Sequence, residues 1–423
     1  MLQVPQLWKL FRLQLSSNLQ KYTYWLTFSG INLTSLYFKL GDLDYVEYKY
    51  DQQFAFEVLN NCRNGKIFNY IDSSAGIPAG PFLYLYECIG GVSGITSYKN
   101  LLIFEILISH ILIILLFLIL SKQINPLSNL LILSFLSLNP YLIVIGRNPG
   151  VTAHYELFTV LFFYFFIYRN KNKRNSFYLG VISTITFAAY IPLFVTNISI
   201  LTTALLLKKL QHLKNLIYGC LFGLIISLLS FVPYFMNNRL TEPRSRSGSW
   251  GLSSFWRILL DLKSGKSITS KVGHVEDYAL LNSYHPEFDL IVNINYFIVL
   301  GILVFSIQIF IKNLYKQNIS DFDILFMGCL VISGIIFTIF DIPLYSHYLL
   351  SLIVFIYIYT FSSINKKSVA ILLITFFGLT NTYLTSSFFS FIEINNGAHR
   401  SDYGKVYNIC GCCVEDVKEC KGQ

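Results

Sequence analysis

A single carboxylate, Asp51, stands near the start of the stretch YDQQFAFEVLNNCRNG, whose apolar residues fall at helical spacing. Phe54, Val58 and Leu59 would share one face of an interfacial helix, and Gly65 would end that helix. A carboxylate beside an incoming hydroxyl can take its proton as a general base. It can equally be a helix N-terminal charge that interacts with the helix dipole. Both interpretations of Asp51 stay open at this point.

Three further ionisable residues, Arg147, His154 and Glu156, surround a turn between two apolar segments. On a helix, His154 and Glu156 would point in different directions because they are two residues apart. Arg147 and Glu156 could bind a polar substrate at this turn. The alternative is that Arg147 extends its charge to the membrane interface and that Glu156 is a solvated helix cap.

Arginines are concentrated in NNRLTEPRSRSGSW, which follows another apolar segment. Arg239, Arg244 and Arg246 lie within eight residues, and between 239 and 271 seven cations face only Glu242 and Asp261. Arginine binds phosphate oxygens in bidentate fashion, so this cluster is a candidate site for a lipid phosphate. A solvated loop that touches anionic lipid would have the same composition.

Two ionisable residues, Glu105 and His110, lie inside an apolar segment. Such residues are functional candidates, but Glu105 is near one end and can reach water, and His110 is more typical of a hydrogen bond within a bundle. A P-loop, a dinucleotide fingerprint, HExxH and GxSxG are all absent from the sequence, which argues against an ATP-driven pump and a soluble-type hydrolase.

The cysteines are candidates for a disulfide and for a zinc site. Cys62 and Cys88 lie in a segment predicted outside, where oxidation favours a disulfide. Four more cysteines in the tail have a spacing that matches none of the usual zinc pairs; they are Cys410, Cys412, Cys413 and Cys420.

The composition is that of a membrane protein. The 423 residues are 54% hydrophobic and only 13% charged, against about 25% in soluble proteins. The sequence predicts an all-α polytopic fold, and Pro192 should divide the 33-residue uncharged block at 175–207 into two helices. The eleven predicted transmembrane helices are 22–40, 101–120, 126–146, 153–168, 177–191, 192–207, 215–236, 289–311, 323–341, 345–363 and 368–390.

The distribution of charge predicts the topology. With the N-terminus in the cytoplasm, the inside segments carry 15 basic residues against only Asp321 and Asp323, as the positive-inside rule requires. The first helix shows no signal-peptide cleavage site, so we expect it to be retained. The long loops 41–100 and 238–288 then lie outside, as does the C-terminus. We expect residues 1–390 to form the transmembrane domain and 391–423 an external cysteine-containing tail.

The first outer loop resembles that of the GT-C glycosyltransferases, and most closely the protein-O-mannosyltransferase and aminoarabinose-transferase branch. The resemblance lies in Asp51, then FAFEVLNNCRNG, KIFNYIDSSAGI and PAGPFLYLYECIGGVSG, with a second surface helix expected from Pro81 to Ile89. It continues in residues 136–174 and, weakly, in 343–358 and the terminal NNGAHRSDYGKVY. Many members have Asp-Glu at the first site, whereas Gln52 follows Asp51 here.

This resemblance implies an inverting transferase in the bacterial plasma membrane. It would move a sugar from a polyprenyl-phosphate carrier to a lipid, glycan or protein acceptor outside, with no role for nucleic acid. Asp51 would be the general base, and a divalent metal could assist. Arg147 and the cluster Arg239, Arg244 and Arg246 would hold phosphate, and Glu156 and His154 would bind substrate.

Two other classes fit the same composition. A lipid or sugar transporter or flippase would need no catalytic base, and paired internal repeats, which are frequent in transporters, are not evident. An O-antigen-type polymerase or ligase would share the basic outer loop.

The topology can be tested by labelling. Single cysteines placed within 41–100 and 240–285 should react with a membrane-impermeant maleimide added outside, and cysteines at 169–175 should not, because the basic loops stay inside. Reaction of 169–175 in intact cells would contradict the predicted orientation.

Overall fold

The computed structural model describes residues 4–47, 50–66, 82, 84–149, 155–236, 252–269, 275–339, 349–364, 366–395 and 403–405. These residues are almost entirely helical, with one short antiparallel ladder between β1 (Tyr45–Glu47) and β2 (Tyr403–Lys405). The helices are α1 (Val4–Leu40), α2 (Tyr50–Arg63), α3 (Leu85–Val92), α4 (Tyr98–Leu120), α5 (Pro126–Leu138), α6 (Pro140–Ile145), α7 (Tyr155–Ile167), α8 (Lys173–Ile185), α9 (Ile191–Leu206), α10 (Leu213–Met236), α11 (Leu252–Ser264), α12 (Val275–Tyr284), α13 (Phe288–Tyr315), α14 (Asp321–Met327), α15 (Ser333–Ile339), α16 (Leu350–Ser362) and α17 (Lys367–Ile394).

The predicted helical fold is confirmed, and each of the eleven predicted segments contains an observed helix. In the described residues five helical stretches are long and apolar enough to cross a membrane. They are α4, most of α10, α13, the stretch from α14 to α15, and α17. Helices α5, α7, α9 and α16 are apolar but shorter. The fold is therefore compatible with an integral membrane protein, and the number of eleven spans stays a prediction.

Several helix bounds differ from the predicted ones, mostly where proline interrupts the hydrogen-bond ladder. The 175–207 block does form two helices, but the break lies at 186–190, because Pro192 is tolerated in the first turn of α9. The segment 126–146 breaks at Asn139, whose side chain accepts hydrogen bonds from the backbone of α6 after Pro140. At the start of the chain, α1 extends 18 residues further than predicted, back to Val4.

The first outer loop contains the two predicted surface helices, α2 and α3. Helix α2 ends where predicted: Gly65 has φ +75°, and the backbone N–H groups of Gly65 and Lys66 donate to carbonyls of the last helical turn. Helix α3 begins at Leu85 rather than at Pro81, since the preceding residue Tyr84 has non-helical dihedrals. The predicted Cys62–Cys88 disulfide is confirmed and joins the two helices.

Segments predicted to face the same side of the membrane meet in space. The buried Arg169 donates to Asp321 Oδ1 (2.6 Å) and to the carbonyl of Lys209 (3.3 Å), and Ser128 donates to the carbonyl of Ile364 (3.0 Å). Through Arg169 these contacts join three predicted inside segments, and Ser128 joins a fourth to the start of α5. We call this end of the bundle the basic end. At the other end, the outer end, β1 pairs with β2. The compartment that each end faces stays a prediction.

Helices α8 and α10 approach closely through glycines. A Cβ atom on Gly219 would overlap the backbone of Phe177, and one on Gly180 would overlap that of Leu216. Thr184 Oγ1 donates to the carbonyl of Cys220 across the same crossing (3.0 Å). Small residues that permit backbone contact, with interhelical hydrogen bonds, are typical of packing inside membranes.

The α8–α10 crossing can be tested by thermal unfolding in detergent. We expect Gly219→Ala to destabilise the protein by about 1–3 kcal/mol, the usual cost of an extra methyl group in a filled contact. Gly301→Ala is the matched control, because a Cβ atom on Gly301 meets nothing within 4 Å. Equal midpoints for the two variants would contradict the close crossing.

Candidate functional site

Arg147 is fully buried at the outer end, where its guanidinium group binds backbone carbonyls. Its Nη atoms donate to the carbonyls of Phe38 (3.2 Å), Asp42 (2.7 Å) and Tyr45 (2.9 Å). The guanidinium group also lies 4.4 Å from the ring centroid of Phe389 in α17. Arg147 therefore joins the end of α1 to β1 and α17. This is a structural role, and its predicted contact with phosphate stays a prediction.

Lys39, in the last turn of α1, is the second buried cation of the outer end and is only 2% exposed. Its Nζ atom donates to Ser109 Oγ of α4 (3.1 Å). The backbone of Gly146 lies close to it, since a Cβ atom there would come within 3.3 Å of Lys39 Nζ. The charge of Glu156 acts on Lys39, although the described residues include no direct ion pair between them.

Lys39 and Glu156 line the same small cavity between α1, α4, α5, α6, α7 and α16. Tyr155 OH donates to Glu156 Oε1 (3.1 Å), while Oε2 is buried and accepts no hydrogen bond from the described residues. Thr159 completes the polar part of the wall. The rest of the lining is aliphatic: Leu112, Ile113, Leu116, Leu136, Leu142, Val160 and Val354. The cavity thus has a charged part and an apolar part.

Further carboxylates act electrostatically on Tyr86 of α3. Burial raises the pKa of Tyr86 well above its usual value, and the charges of Glu156, Glu105 and Glu87 add to the effect. Glu87 and Glu105 are both buried, at 0% and 3% exposure. The interpretation that Glu105 reaches water is therefore wrong: α3 and α7 pack over that part of α4.

Asp51 is the second residue of α2, as predicted, and its side chain lies outside the described part of the structure. The next residue, Gln52, is buried, and its Nε2 atom donates to the carbonyl of Pro149 (3.4 Å). Pro149 is two residues beyond Arg147. The start of α2 therefore lies against the turn that carries the second group of predicted site residues.

Several predicted residues lie outside the described residues: His154, Arg239, Arg244, Arg246 and the four tail cysteines. Nothing here tests their predicted roles. Among the described residues, His, Cys, Asp and Glu side chains form no group of three arranged to hold a metal ion.

One cation of the basic outer loop, Lys263, is unexpectedly buried. It lies near the end of α11, its ammonium group is 5.2 Å from the ring centroid of Tyr357, and it makes no hydrogen bond to the described residues. Burial lowers the pKa of Lys263 to about 7. Asn139 donates to the carbonyl of the preceding Leu262 (2.9 Å), which fixes α11 against the break between α5 and α6.

The residues that sequence reasoning missed are Lys39, Tyr86 and Glu87. Lys39 could have been found, because it is an ionisable residue within the predicted first span and such residues are costly unless they have a partner. Nothing in the sequence distinguished Tyr86. Glu87 was one of seven acidic residues in its loop, so the sequence did not single it out either.

Comparison with known proteins identifies no relative: no family model matches the chain, and no curated protein is significantly similar to it.

The coupling of Lys39 with Glu156 can be measured by a double-mutant cycle in detergent. Lys39→Met and Glu156→Gln should each lower the midpoint of thermal unfolding. The double variant should lose less free energy of unfolding than the two single variants lose together. We expect a coupling of about 1 kcal/mol, as for charges in one buried network.

The matched control is the exposed pair Lys99 and Asp44, 3.3 Å apart, with side chains 58% and 54% exposed. Its coupling should be close to zero because water screens it. Additive effects of the Lys39 and Glu156 variants would show that the two charges do not interact.

Proposed function

We propose that the protein is an inverting membrane glycosyltransferase that uses a polyprenyl-phosphate-linked sugar as donor. The observation that carries the proposal is the cavity in which Lys39 and Glu156 face the same space beside an apolar wall. The cavity has a volume of only about 20 Å³, room for about one water molecule, so a lipid-linked sugar phosphate would enter only after its walls move apart. The anionic group, hydrocarbon chain and hydroxyl-rich sugar of such a donor match the charged and apolar parts of those walls. The resemblance of the first outer loop to GT-C enzymes agrees with this assignment.

The reaction needs two kinds of charge. An oxygen of the acceptor attacks the anomeric carbon, the bond from that carbon to the phosphate oxygen breaks, and the acceptor proton passes to a base. A carboxylate positioned at the acceptor supplies the base, and a cation stabilises the departing polyprenyl phosphate. The charges gain strength in a site from which water is largely excluded.

We assign the role of the base to Asp51 and that of the phosphate-binding cation to Lys39. Asp51 is favoured because Gln52 holds the start of α2 against the turn after Arg147. Lys39 takes the phosphate role that the sequence gave to Arg147, because the Nη groups of Arg147 bind three backbone carbonyls. Arg239, Arg244 and Arg246 would extend the phosphate site towards the solvent. Glu156 would bind the acceptor or the sugar.

Asp51→Asn tests the base. Asparagine keeps the size but cannot accept the proton, so transfer should fall by about 10²–10⁴-fold while donor binding persists. The measurement is sugar transfer from a labelled polyprenyl-phosphate donor in membranes with matched expression. The control is Glu57→Gln on the same helix, whose side chain is exposed, and which should keep the wild-type rate.

Two outcomes would redirect the proposal. Transfer at the wild-type rate by Asp51→Asn would make Asp51 a helix cap and Glu156 the next candidate base. Movement of labelled donor across the bilayer without any glycosylated product in the wild type would identify a transporter or flippase instead.

A further inference from the structure

A second cavity, separate from the candidate site, lies at the basic end of the bundle. It is a groove between α1 and α17 that is also lined by α5 and the end of α4. Much of that lining is apolar, with Phe117, Leu127 and Leu130. Trp25 on one wall is 44% exposed and Ile371 on the other is 46% exposed. In a membrane such a groove opens sideways into the hydrocarbon region, so a lipid chain is the natural occupant of its apolar length.

The polar end of the groove is positively charged. Lys366 and Lys367 line it at the first residues of α17, where the helix dipole adds positive potential. None of the described residues that line the groove is acidic, and no acidic residue lies in the first turn of α17. Both lysines are exposed, and neither makes an ion pair within the described residues. An anion at this end would therefore meet positive charge that the described acidic side chains do not neutralise.

The groove is also lined by two aromatic residues of α1, Tyr24 and Trp25. Tyr24 stacks on Phe117 with ring centroids 6.0 Å apart, and Trp25 meets Tyr24 edge-on at 5.5 Å. Tryptophan and tyrosine concentrate at the level of lipid headgroups. The groove thus places two ammonium groups and an aromatic pair at one end of an apolar trough of membrane-facing surface.

We infer that this groove binds an anionic glycerophospholipid, with the headgroup phosphate at Lys366 and Lys367 and an acyl chain along α5. Basic pockets between transmembrane helices are known to hold anionic headgroups. The site is independent of the proposed sugar transfer, because it lies at the end of the bundle opposite Lys39 and Glu156. It would make the stability of the α1–α5–α17 packing dependent on the lipid composition of the membrane.

Trp25 provides a direct reporter for this site. In the variant with Trp8→Phe, Trp250→Phe and Trp256→Phe, the only tryptophan left is in the groove. The protein is reconstituted in phosphatidylcholine bilayers that contain either dibrominated phosphatidylglycerol or dibrominated phosphatidylcholine at the same mole fraction. The anionic lipid should quench Trp25 with an affinity about 25-fold higher, since each lysine near an anionic headgroup contributes about fivefold.

The lysines are tested with a matched pair at the same end. Lys366→Gln with Lys367→Gln should abolish the preference. Lys171→Gln with Lys173→Gln, two exposed lysines just before and at the first residue of α8, should leave it intact. In the protein with unaltered lysines, high salt should also weaken the preference by screening. The salt measurement does not depend on how well the lysine variants fold.

Three results would overturn the inference: equal quenching by the two brominated lipids, an unchanged preference in the Lys366 and Lys367 variant, or an equal loss in the Lys171 and Lys173 variant. The last would indicate only a diffuse surface potential. Removal of the preference by inorganic phosphate, but not by chloride at the same ionic strength, would show a site for free phosphate rather than for a lipid headgroup.

Discussion

The outer end of the bundle depends on the burial of one guanidinium group. A helix leaves its last carbonyls without intrahelical partners, and a buried arginine must satisfy its donors. The Nη groups of Arg147 serve both needs, because they donate to the carbonyl of Phe38 in the last turn of α1 and to those of Asp42 and Tyr45 beyond it. Charge-assisted bonds of this kind are among the stronger ones in proteins.

The position of the candidate site follows from this clamp. Lys39 is the residue after Phe38, and Gly146 precedes Arg147, so fixing α1 against the end of α6 brings the Lys39 ammonium beside the Gly146 backbone. A Cβ atom on Gly146 would lie only 3.3 Å from Lys39 Cε and Nζ, so the lysine would have to shift by a few tenths of an ångström. The ammonium is thereby held next to Ser109 and in the same cavity as Glu156. Pre-organisation of this kind is what an electrostatic site requires, because the charges need not move when the substrate binds.

The surface helices cover this end as one unit. The Cys62–Cys88 disulfide joins α2 to α3, and a Cβ atom on Gly91 would overlap the carbonyl of Leu59, so the two helices touch through their backbones. Helix α3 places Tyr86 among buried carboxylates, while α2 places Asp51 near the Arg147 turn through Gln52. The β1–β2 ladder adds the segment Tyr403–Lys405 to the same end.

The sequence by itself determined the helical, membrane-compatible fold, the position of nearly every helix, the disulfide, and the grouping of the basic loops at one end. These are local properties, since apolar length, proline and glycine positions, and loop charge act within a few residues. Only the tertiary structure decided that Arg147 clamps a helix end, that Glu105 is buried, and that Lys39 faces Glu156. Apolar residues occur all round helix α4, so their spacing does not specify which face points inward. The partners of Lys39 are about 70 and 117 residues away in the chain, and such pairs exist only once the helices have packed.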